Sequence, residues 1–232
     1  VSTYSLLQKL GLQVEFIERG ACCGLPELDM GYEKHSCTLE QGVAPYVCDK
    51  GYDYVVVPSG ICTDQFRYHF NELEQTPEVL HFRETVYDPV EFLHDVLKVK
   101  ELPGKPRFPY RVAIHNGCHS LRYLKEARPS ELMIKPFDKS AALLSLVEGI
   151  ETGYATRRDE CCGFGGVFSI WDAPCSGQQG RDKVNDYARN GFKYVTSQDM
   201  SCLIHQQTIA RKIGLELKMF YITEILNGDA KP

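Results

Sequence analysis

Ten cysteines among the 232 residues are the side chains with the clearest chemistry. Two pairs are adjacent in the sequence, Cys22–Cys23 and Cys161–Cys162, and a glycine follows each pair. Ten cysteines can form disulfides, pack as buried thiols or ligate a metal. Adjacent cysteines bridge each other only with strain, and dense disulfide frameworks belong to small secreted domains. Ligation of a metal or an iron–sulfur cluster is therefore the favoured interpretation.

The cysteine pattern occurs twice along the chain. The Cys-Cys-Gly run at 22–24 is echoed at 161–163, and a Gly-aromatic-X-Tyr-Val segment precedes both Cys62 and Cys202. The two cysteine pairs are 139 positions apart, and the two trailing cysteines are 140 positions apart. Two independent signals that agree this closely predict duplication of one structural unit.

We place the two repeats at 1–105 and 106–232, joined by a linker at 102–109 that contains three prolines and a glycine. The second repeat opens with a buried strand that runs into a loop containing Cys118. The corresponding position in the first repeat would fall before residue 1. We therefore expect the first repeat of this sequence to lack its opening strand and opening cysteine.

Strands alternate with helices along both halves, a pattern typical of βαβ units and parallel sheet. In such sheets, functional residues gather in the loops beyond the carboxyl ends of the strands. The sequence thus predicts an α/β fold of two pseudo-symmetric repeats, with cysteine loops at the strand ends. The predicted strands lie at 14–17, 54–57, 110–115, 150–155, 194–196 and 216–220, and the predicted helices at 2–10, 38–50, 63–70, 88–99, 138–148, 181–189 and 202–213, with a last helix to 226.

Four cysteines of the second half are expected to meet at one site: Cys118, Cys161, Cys162 and Cys202. Iron–sulfur clusters are commonly held by four thiolates, and these four fall in three separate strand-end loops. Gly163 belongs to the same site, because glycine permits a positive φ and a close approach of the backbone to a bulky ligand.

The other cysteines and the nearby histidines have less specific interpretations. Cys48 is expected to be an inert buried thiol, whereas Cys37 and Cys175 are equally compatible with an inert and a functional role. Three histidines close to the cysteine loops are expected to be hydrogen-bonded neighbours rather than ligands: His115, His119 and His205.

Composition excludes several classes of function. The net charge is −5 and no basic stripe is visible, so nucleic-acid binding is not expected. No run approaches the length of a transmembrane helix, and no signal-peptide pattern opens the sequence. A dinucleotide fingerprint and a P-loop are both absent. We expect a cytoplasmic protein that reaches the inner membrane only through its partners.

The two Cys-Cys-Gly units, each with a trailing cysteine about 40 residues on, resemble those of the CCG-domain proteins related to the cysteine-rich subunit of heterodisulfide reductase. The likeness is strongest to the iron–sulfur subunits of lactate-utilisation and glycolate-oxidation systems. It is carried by His-Asn-Gly-Cys-His at 115–119, Glu-Cys-Cys-Gly-Phe-Gly-Gly at 160–166 and Asp-Met-Ser-Cys-Leu at 199–203.

The resemblance implies a cluster in the second repeat and a second metal in the first. Relatives that end in Cys-x-x-Cys have a fifth cysteine where this chain has Asp199, and the first repeat likewise has Ser59. Four thiolates fit an ordinary 4Fe–4S cluster better than a five-thiolate, non-cubane one. The first repeat offers Cys22, Cys23 and Cys62, with Cys37 as a substitute fourth ligand, for zinc or for a second cluster.

The resemblance further implies an iron–sulfur oxidoreductase subunit that transfers electrons in the oxidation of a 2-hydroxy acid such as L-lactate or glycolate. Its partners would be ferredoxin-like iron–sulfur subunits and other subunits of the same complex. No catalytic residue is assigned. Two alternatives stay open: a zinc-stabilised interaction subunit without a redox role, and a thiol–disulfide reductase of the heterodisulfide type that uses a reactive cysteine.

Overall fold

The first half of the chain is mainly helical around one small parallel sheet. A computed structural model describes residues 1–17 and 22–232. Strands β1 (Val55–Val56) and β2 (Val86–Tyr87) pair in parallel, with Val55 opposite Val86. The helices of this half are α1 (Ser2–Lys9), α2 (Leu25–Asp29), α3 (Glu33–Gln41), α4 (Ala44–Lys50), α5 (Gly60–Asp64), α6 (Pro77–Thr85) and α7 (Pro89–Glu91); π-helical segments Gln65–His69 and Phe92–Val96 extend α5 and α7, and a 3-10 turn spans Phe70–Glu72.

The second half is built on a four-stranded parallel sheet in the order β4-β3-β5-β6. Ala113 lies opposite Gly153 on one side and Val195 on the other. The strands are β3 (Arg111–Ile114), β4 (Glu151–Gly153), β5 (Tyr194–Ser197) and β6 (Lys218–Tyr221), and the helices are α8 (Cys118–Arg122), α9 (Lys139–Leu144), α10 (Phe168–Trp171), α11 (Ala173–Arg189), α12 (Met200–Lys212) and α13 (Ile222–Asn227). The predicted parallel α/β fold is confirmed.

Local sequence signals explain where several helices begin. The Asp88 carboxylate accepts a hydrogen bond from the Glu91 N–H at 2.9 Å, and Pro89 occupies the first turn of α7. Thr76 caps α6 through the Val79 N–H at 3.4 Å. A side-chain cap followed by proline starts a helix at a defined residue.

The largest apolar core draws residues from both halves of the chain. Leu6 of α1 and Leu93 of the π-helical segment after α7 pack in the same cluster as Leu144 and Ile222. These side chains are almost fully buried. The proposed division at 105/106 stays a prediction, since this core is continuous across it.

The predicted helix at 38–50 is two helices, α3 and α4, and the predicted helix at 138–148 ends at Leu144. Two further differences from the sequence prediction have a local cause. Residues 14–17 form no strand, and Val14 instead packs, partly buried, against the main core. Helix α11 begins at Ala173 rather than at 181, because the Asp172 carboxylate caps it at the Cys175 N–H. Two glycines, at 177 and 180, obscure this part of the helix in the sequence. A Cβ at position 180 would overlap Ile209 Cδ1, so glycine there permits α11 to pack closely on α12.

Candidate metal centre

Three neighbouring strands of the large sheet deliver the four second-repeat cysteines to one edge. Cys118 begins α8 just after β3, and Cys202 lies in the first turn of α12 after β5. Cys161 and Cys162 lie in the loop that follows β4. Because β4, β3 and β5 are adjacent and parallel, their carboxyl ends meet, and four residues distant in sequence become neighbours.

The four sulfurs form a continuous chain of contacts. The Cys161 sulfur is hydrogen-bonded to Cys118 and to Cys162, and the Cys162 sulfur is hydrogen-bonded to Cys202. No disulfide joins any of the ten cysteines, all of which lie in the described residues. Cys162 and Cys202 are buried, while Cys118 and Cys161 are half-buried. The site therefore presents four thiol sulfurs with limited access to water.

The sulfurs do not share one protonation behaviour. Hydrogen bonds from Cys118 and then Cys162 lower the pKa of Cys161 strongly, whereas the hydrogen bond to Cys161 and burial raise the pKa of Cys118. Within this group, Cys161 is the sulfur whose surroundings most favour the thiolate, which is the form that ligates metal.

The Cys-Cys-Gly loop holds these sulfurs with backbone donors. The Gly163 N–H donates to Cys161 Sγ at 3.3 Å, and the Phe164 N–H donates to Cys162 Sγ at 3.4 Å. Gly163 has φ +89°, and a Cβ there would lie 2.5 Å from the Ser176 carbonyl oxygen of α11. Only glycine fits this turn, as expected for a loop that brings its backbone close to a ligand.

His115 is the one nearby histidine that departs from its predicted role. His205 Nε2 lies 3.4 Å from the Ser176 carbonyl oxygen, and His119 Nδ1 lies 2.5 Å from Asp64 Oδ2. These two are hydrogen-bonded neighbours. His115 is 1% exposed, and neither of its ring nitrogens has a hydrogen-bond partner among the described residues.

The first-repeat cysteines form a smaller group. Cys23 and Cys62 share a sulfur–sulfur hydrogen bond that lowers the pKa of Cys62 to about 7 and raises that of Cys23. Cys22 is exposed at the start of the loop. Cys37, on α3, packs with Cys62 against the apolar cluster that contains Cys23. The structure thus brings Cys23 and Cys62 into contact and keeps Cys37 in the same neighbourhood.

Asp199 connects the two repeats at the position where relatives ending in Cys-x-x-Cys have a fifth cysteine. It is 2% exposed. One carboxylate oxygen accepts from Ser59 Oγ at 3.1 Å and from the Ile61 N–H at 3.4 Å. The other accepts from Ser120 Oγ at 3.4 Å. Ser59 and Asp199 are equivalent positions of the repeats, so this contact joins the segment before Cys62 to the segment before Cys202.

The remaining cysteines lie away from these groups. Cys48, on α4, donates to the Glu78 carbonyl oxygen at 3.3 Å. Cys175 is exposed near the start of α11. Neither contacts the four second-repeat sulfurs in any described interaction, which makes both suitable as controls.

The donor set fits a soft metal or an iron–sulfur cluster. Thiolate sulfurs select zinc, copper(I) and iron–sulfur clusters over hard cations. Among the histidine, cysteine and acidic side chains of the described residues, one group of three has its ligand atoms within 4.8 Å of one another. It consists of His115, Cys162 and Cys202. A buried imidazole without a hydrogen-bond partner beside buried thiols is an arrangement that a bound metal would satisfy.

Comparison with known proteins gives the family of the chain. The profile of CCG, the cysteine-rich domain, matches residues 1–67 and 112–206. This chain belongs to the CCG cysteine-rich domain family. The matched segments contain all the cysteines of both groups, so the family pattern and the spatial grouping coincide.

Curated relatives extend the similarity over almost the whole chain. Lactate utilization protein A of Halalkalibacterium halodurans is 32% identical over 97% of this chain and 88% of its own length. The proteins of the same name from Bacillus pumilus and Bacillus thuringiensis are 30% and 29% identical, each over 98% of this chain and 91% of their own length. The predicted resemblance is confirmed. None of the helices in the described part of the chain combines the length and apolarity needed to cross a bilayer.

Proposed function

We propose that this CCG-family chain is an iron–sulfur oxidoreductase subunit that carries electrons in the oxidation of a 2-hydroxy acid, with L-lactate as the first candidate. The observation that supports it most directly is the continuous contact of Cys118, Cys161, Cys162 and Cys202 at one sheet edge. The similarity to proteins named for lactate utilization supports the substrate class.

The four thiols of the second repeat would hold a 4Fe–4S cluster, which accepts and releases one electron at a time. The chain's own residues prepare this site in two ways. Hydrogen bonds from Cys118 and Cys162 lower the pKa of Cys161 and so favour its thiolate. The Gly163 and Phe164 N–H groups donate to the sulfurs. Such donors stabilise negative charge on sulfur and favour the reduced state.

The first repeat would hold a second metal, either zinc or another cluster. Cys23 and Cys62 supply a contacting sulfur pair, and Cys22 adjoins it in sequence. Cys37 is the proposed fourth ligand on the described residues, because it packs against the same apolar cluster as Cys62.

Asp199 lies close to sulfurs of both proposed sites, because its negative charge acts to raise the pKa of Cys62 in the first repeat and of Cys118 and Cys202 in the second. The carboxylate is bonded to the first-repeat loop through Ser59 and to the second-repeat helix α8 through Ser120. This shared neighbour supports the proposal that electrons pass between the two sites inside one chain. We propose that electrons enter and leave through ferredoxin-like and other partner subunits, and that the protein is cytoplasmic and meets the inner membrane through those partners.

The test is anaerobic purification and reconstitution of the full chain, followed by iron, acid-labile sulfide and zinc analysis with absorption and spin-resonance spectra. We expect about four irons and four sulfides per chain for each 4Fe–4S cluster. Cys162→Ser should remove most of the second-repeat cluster, while Cys175→Ser, an exposed cysteine on α11, should not. Colourless protein with less than one iron per chain would reject the proposal.

The same preparation separates the two alternatives. Stoichiometric zinc without iron or sulfide would indicate a zinc-stabilised interaction subunit. A rapidly alkylated cysteine in metal-free protein that attacks a substrate disulfide, forming a mixed disulfide and releasing one substrate thiol, would indicate a thiol–disulfide reductase. Cys62 is the cysteine to monitor, since its pKa is lowered to about 7 by the hydrogen bond from Cys23.

A further inference from the structure

His115 is a buried imidazole whose polar atoms are not accounted for by the protein. It is the first residue after β3, and its side chain is 1% exposed. Both ring nitrogens are buried and lack a hydrogen-bond partner among the described residues. Leaving a buried polar group unpaired costs about 1–3 kcal/mol. A partner outside the protein, bound to a ring nitrogen, would remove this cost.

The nearest chemistry is the sulfur group. A ring nitrogen of His115 and the sulfurs of Cys162 and Cys202 all lie within 4.8 Å of one another. The three residues come from three different elements: the end of β3, the Cys-Cys-Gly loop and the first turn of α12. The contact is therefore not a by-product of sequence adjacency.

The charged neighbour of the ring does not use its nitrogens. The Lys183 ammonium donates to the Arg157 and Arg158 carbonyl oxygens, at 2.8 and 3.1 Å, and not to His115. An imidazole nitrogen is, beside thiolate sulfur, a common ligand of zinc and of iron–sulfur centres.

Asp199 does not supply a fifth ligand to the metal centre. It stands at the sequence position of a fifth cysteine, but both of its carboxylate oxygens accept hydrogen bonds, from Ser59 and Ile61 on one side and from Ser120 on the other. The carboxylate therefore serves the contact between the repeats. Among the histidine, cysteine and acidic side chains of the described residues, His115 is the one that has a ligand atom within 4.8 Å of both the Cys162 and the Cys202 sulfur and whose ring nitrogens make no hydrogen bond.

We infer that His115 is a direct ligand of the second-repeat metal centre, through the ring nitrogen that faces Cys162 and Cys202. The identity of the metal rests on the proposed function, but the ligation does not. His115 would then add an imidazole to the four thiolates. An imidazole brings no negative charge, so the centre would have a higher reduction potential, and would be a better electron acceptor, than one with a thiolate at position 115.

The decisive readout is spectroscopic. The full chain is produced with 15N-labelled histidine, reconstituted anaerobically with iron and sulfide, reduced, and examined by pulsed spin resonance for nitrogen hyperfine coupling. We expect a directly coupled histidine nitrogen in the wild type, its loss in His115→Gln, and its retention in His205→Gln. His205 is the matched control, since it also adjoins the loop but contacts the Ser176 carbonyl oxygen.

A second variant guards against a simple folding defect. His115→Cys keeps a donor at the position, so we expect it to recover the iron content lost by His115→Gln and to lower the reduction potential below that of the wild type. A cluster-loaded wild type without histidine coupling, or coupling that persists in His115→Gln, would overturn the inference.

Cobalt(II) loading of the metal-free chain keeps the two proposals separate. Absence of iron and sulfide after reconstitution refutes the proposed electron carrier, while cobalt still tests His115. We expect His115→Gln to weaken cobalt binding at least about 10-fold and to shift the visible cobalt bands, with His205→Gln unchanged. Equal affinity and identical bands in His115→Gln and the wild type would refute the ligand assignment.

Discussion

Replacing Gly163 with alanine should disrupt the Cys-Cys-Gly loop, and the structure gives the size of the effect. Gly163 has φ +89°, a conformation that costs a residue with a Cβ about 1–2 kcal/mol. The added Cβ would also lie 2.5 Å from the Ser176 carbonyl oxygen and 2.8 Å from Gln179 Cβ. Relieving that overlap requires α11 to move, which costs a further ~1–3 kcal/mol. We expect a total loss of roughly 2–5 kcal/mol of unfolding free energy.

Gly177→Ala provides the matched control, a second glycine-to-alanine change in helix α11, against which Gly163 packs. Its added Cβ would meet no atom closer than Arg181 Nη2 at 4.0 Å, and alanine inside a helix is about 0.5–1 kcal/mol more favourable than glycine. Both variants are measured by urea unfolding of the reduced, metal-free chain under anaerobic conditions. A loss below about 1 kcal/mol in Gly163→Ala, or an equal loss in Gly177→Ala, would refute the reasoning.

Three further predictions concern buried contacts and the first site. Glu126 and Asp88 are fully buried carboxyl groups that interact with each other, and burial raises the pKa of both. The native chain therefore retains protons that the unfolded chain releases. Glu126→Gln should accordingly gain stability relative to the wild type from about pH 5 upward, by up to about 1.4 kcal/mol per pH unit; a difference that is flat with pH in urea unfolding would contradict this. A Cβ on Gly60 would overlap Ser120 Oγ, so Gly60→Ala should lose about 1–3 kcal/mol. Adding Ser120→Ala should restore part of that loss, and additive unfolding free energies would argue against the contact. Cys62→Ser should remove metal from the first repeat without changing the spin-resonance signal of the second, and loss of both signals would indicate one shared centre.

The convergence of the second-repeat cysteines could be predicted because it follows from topology. Parallel strands direct their carboxyl ends to one edge. Recognising the βαβ pattern is therefore enough to predict that the loops after β4, β3 and β5 meet.

The predicted strand at 14–17 was wrong because its structure depends on packing and not on topology. A short apolar run has no intrinsic preference for a strand, and Val14 instead packs on the main core.

The roles of His115 and Asp199 are not evident from the sequence. A histidine near a cysteine loop is ordinarily a hydrogen-bonded neighbour, and only the packed structure shows that His115 lacks such a bond among the described residues. Asp199 departs from a cysteine pattern in the sequence, but its bonds to Ser59 and Ser120 depend on how the two halves pack. Contacts between distant elements carry no local sequence signal.

The proposed electron carrier depends most directly on whether Cys118, Cys161, Cys162 and Cys202 ligate one centre. Iron and acid-labile sulfide should be counted after anaerobic reconstitution of the four single serine variants beside the wild type. Each variant is predicted to lose the same spectroscopic signal and the same share of iron. Wild-type iron, sulfide and spectra in Cys118→Ser or Cys202→Ser would show that the three loops do not share a cluster.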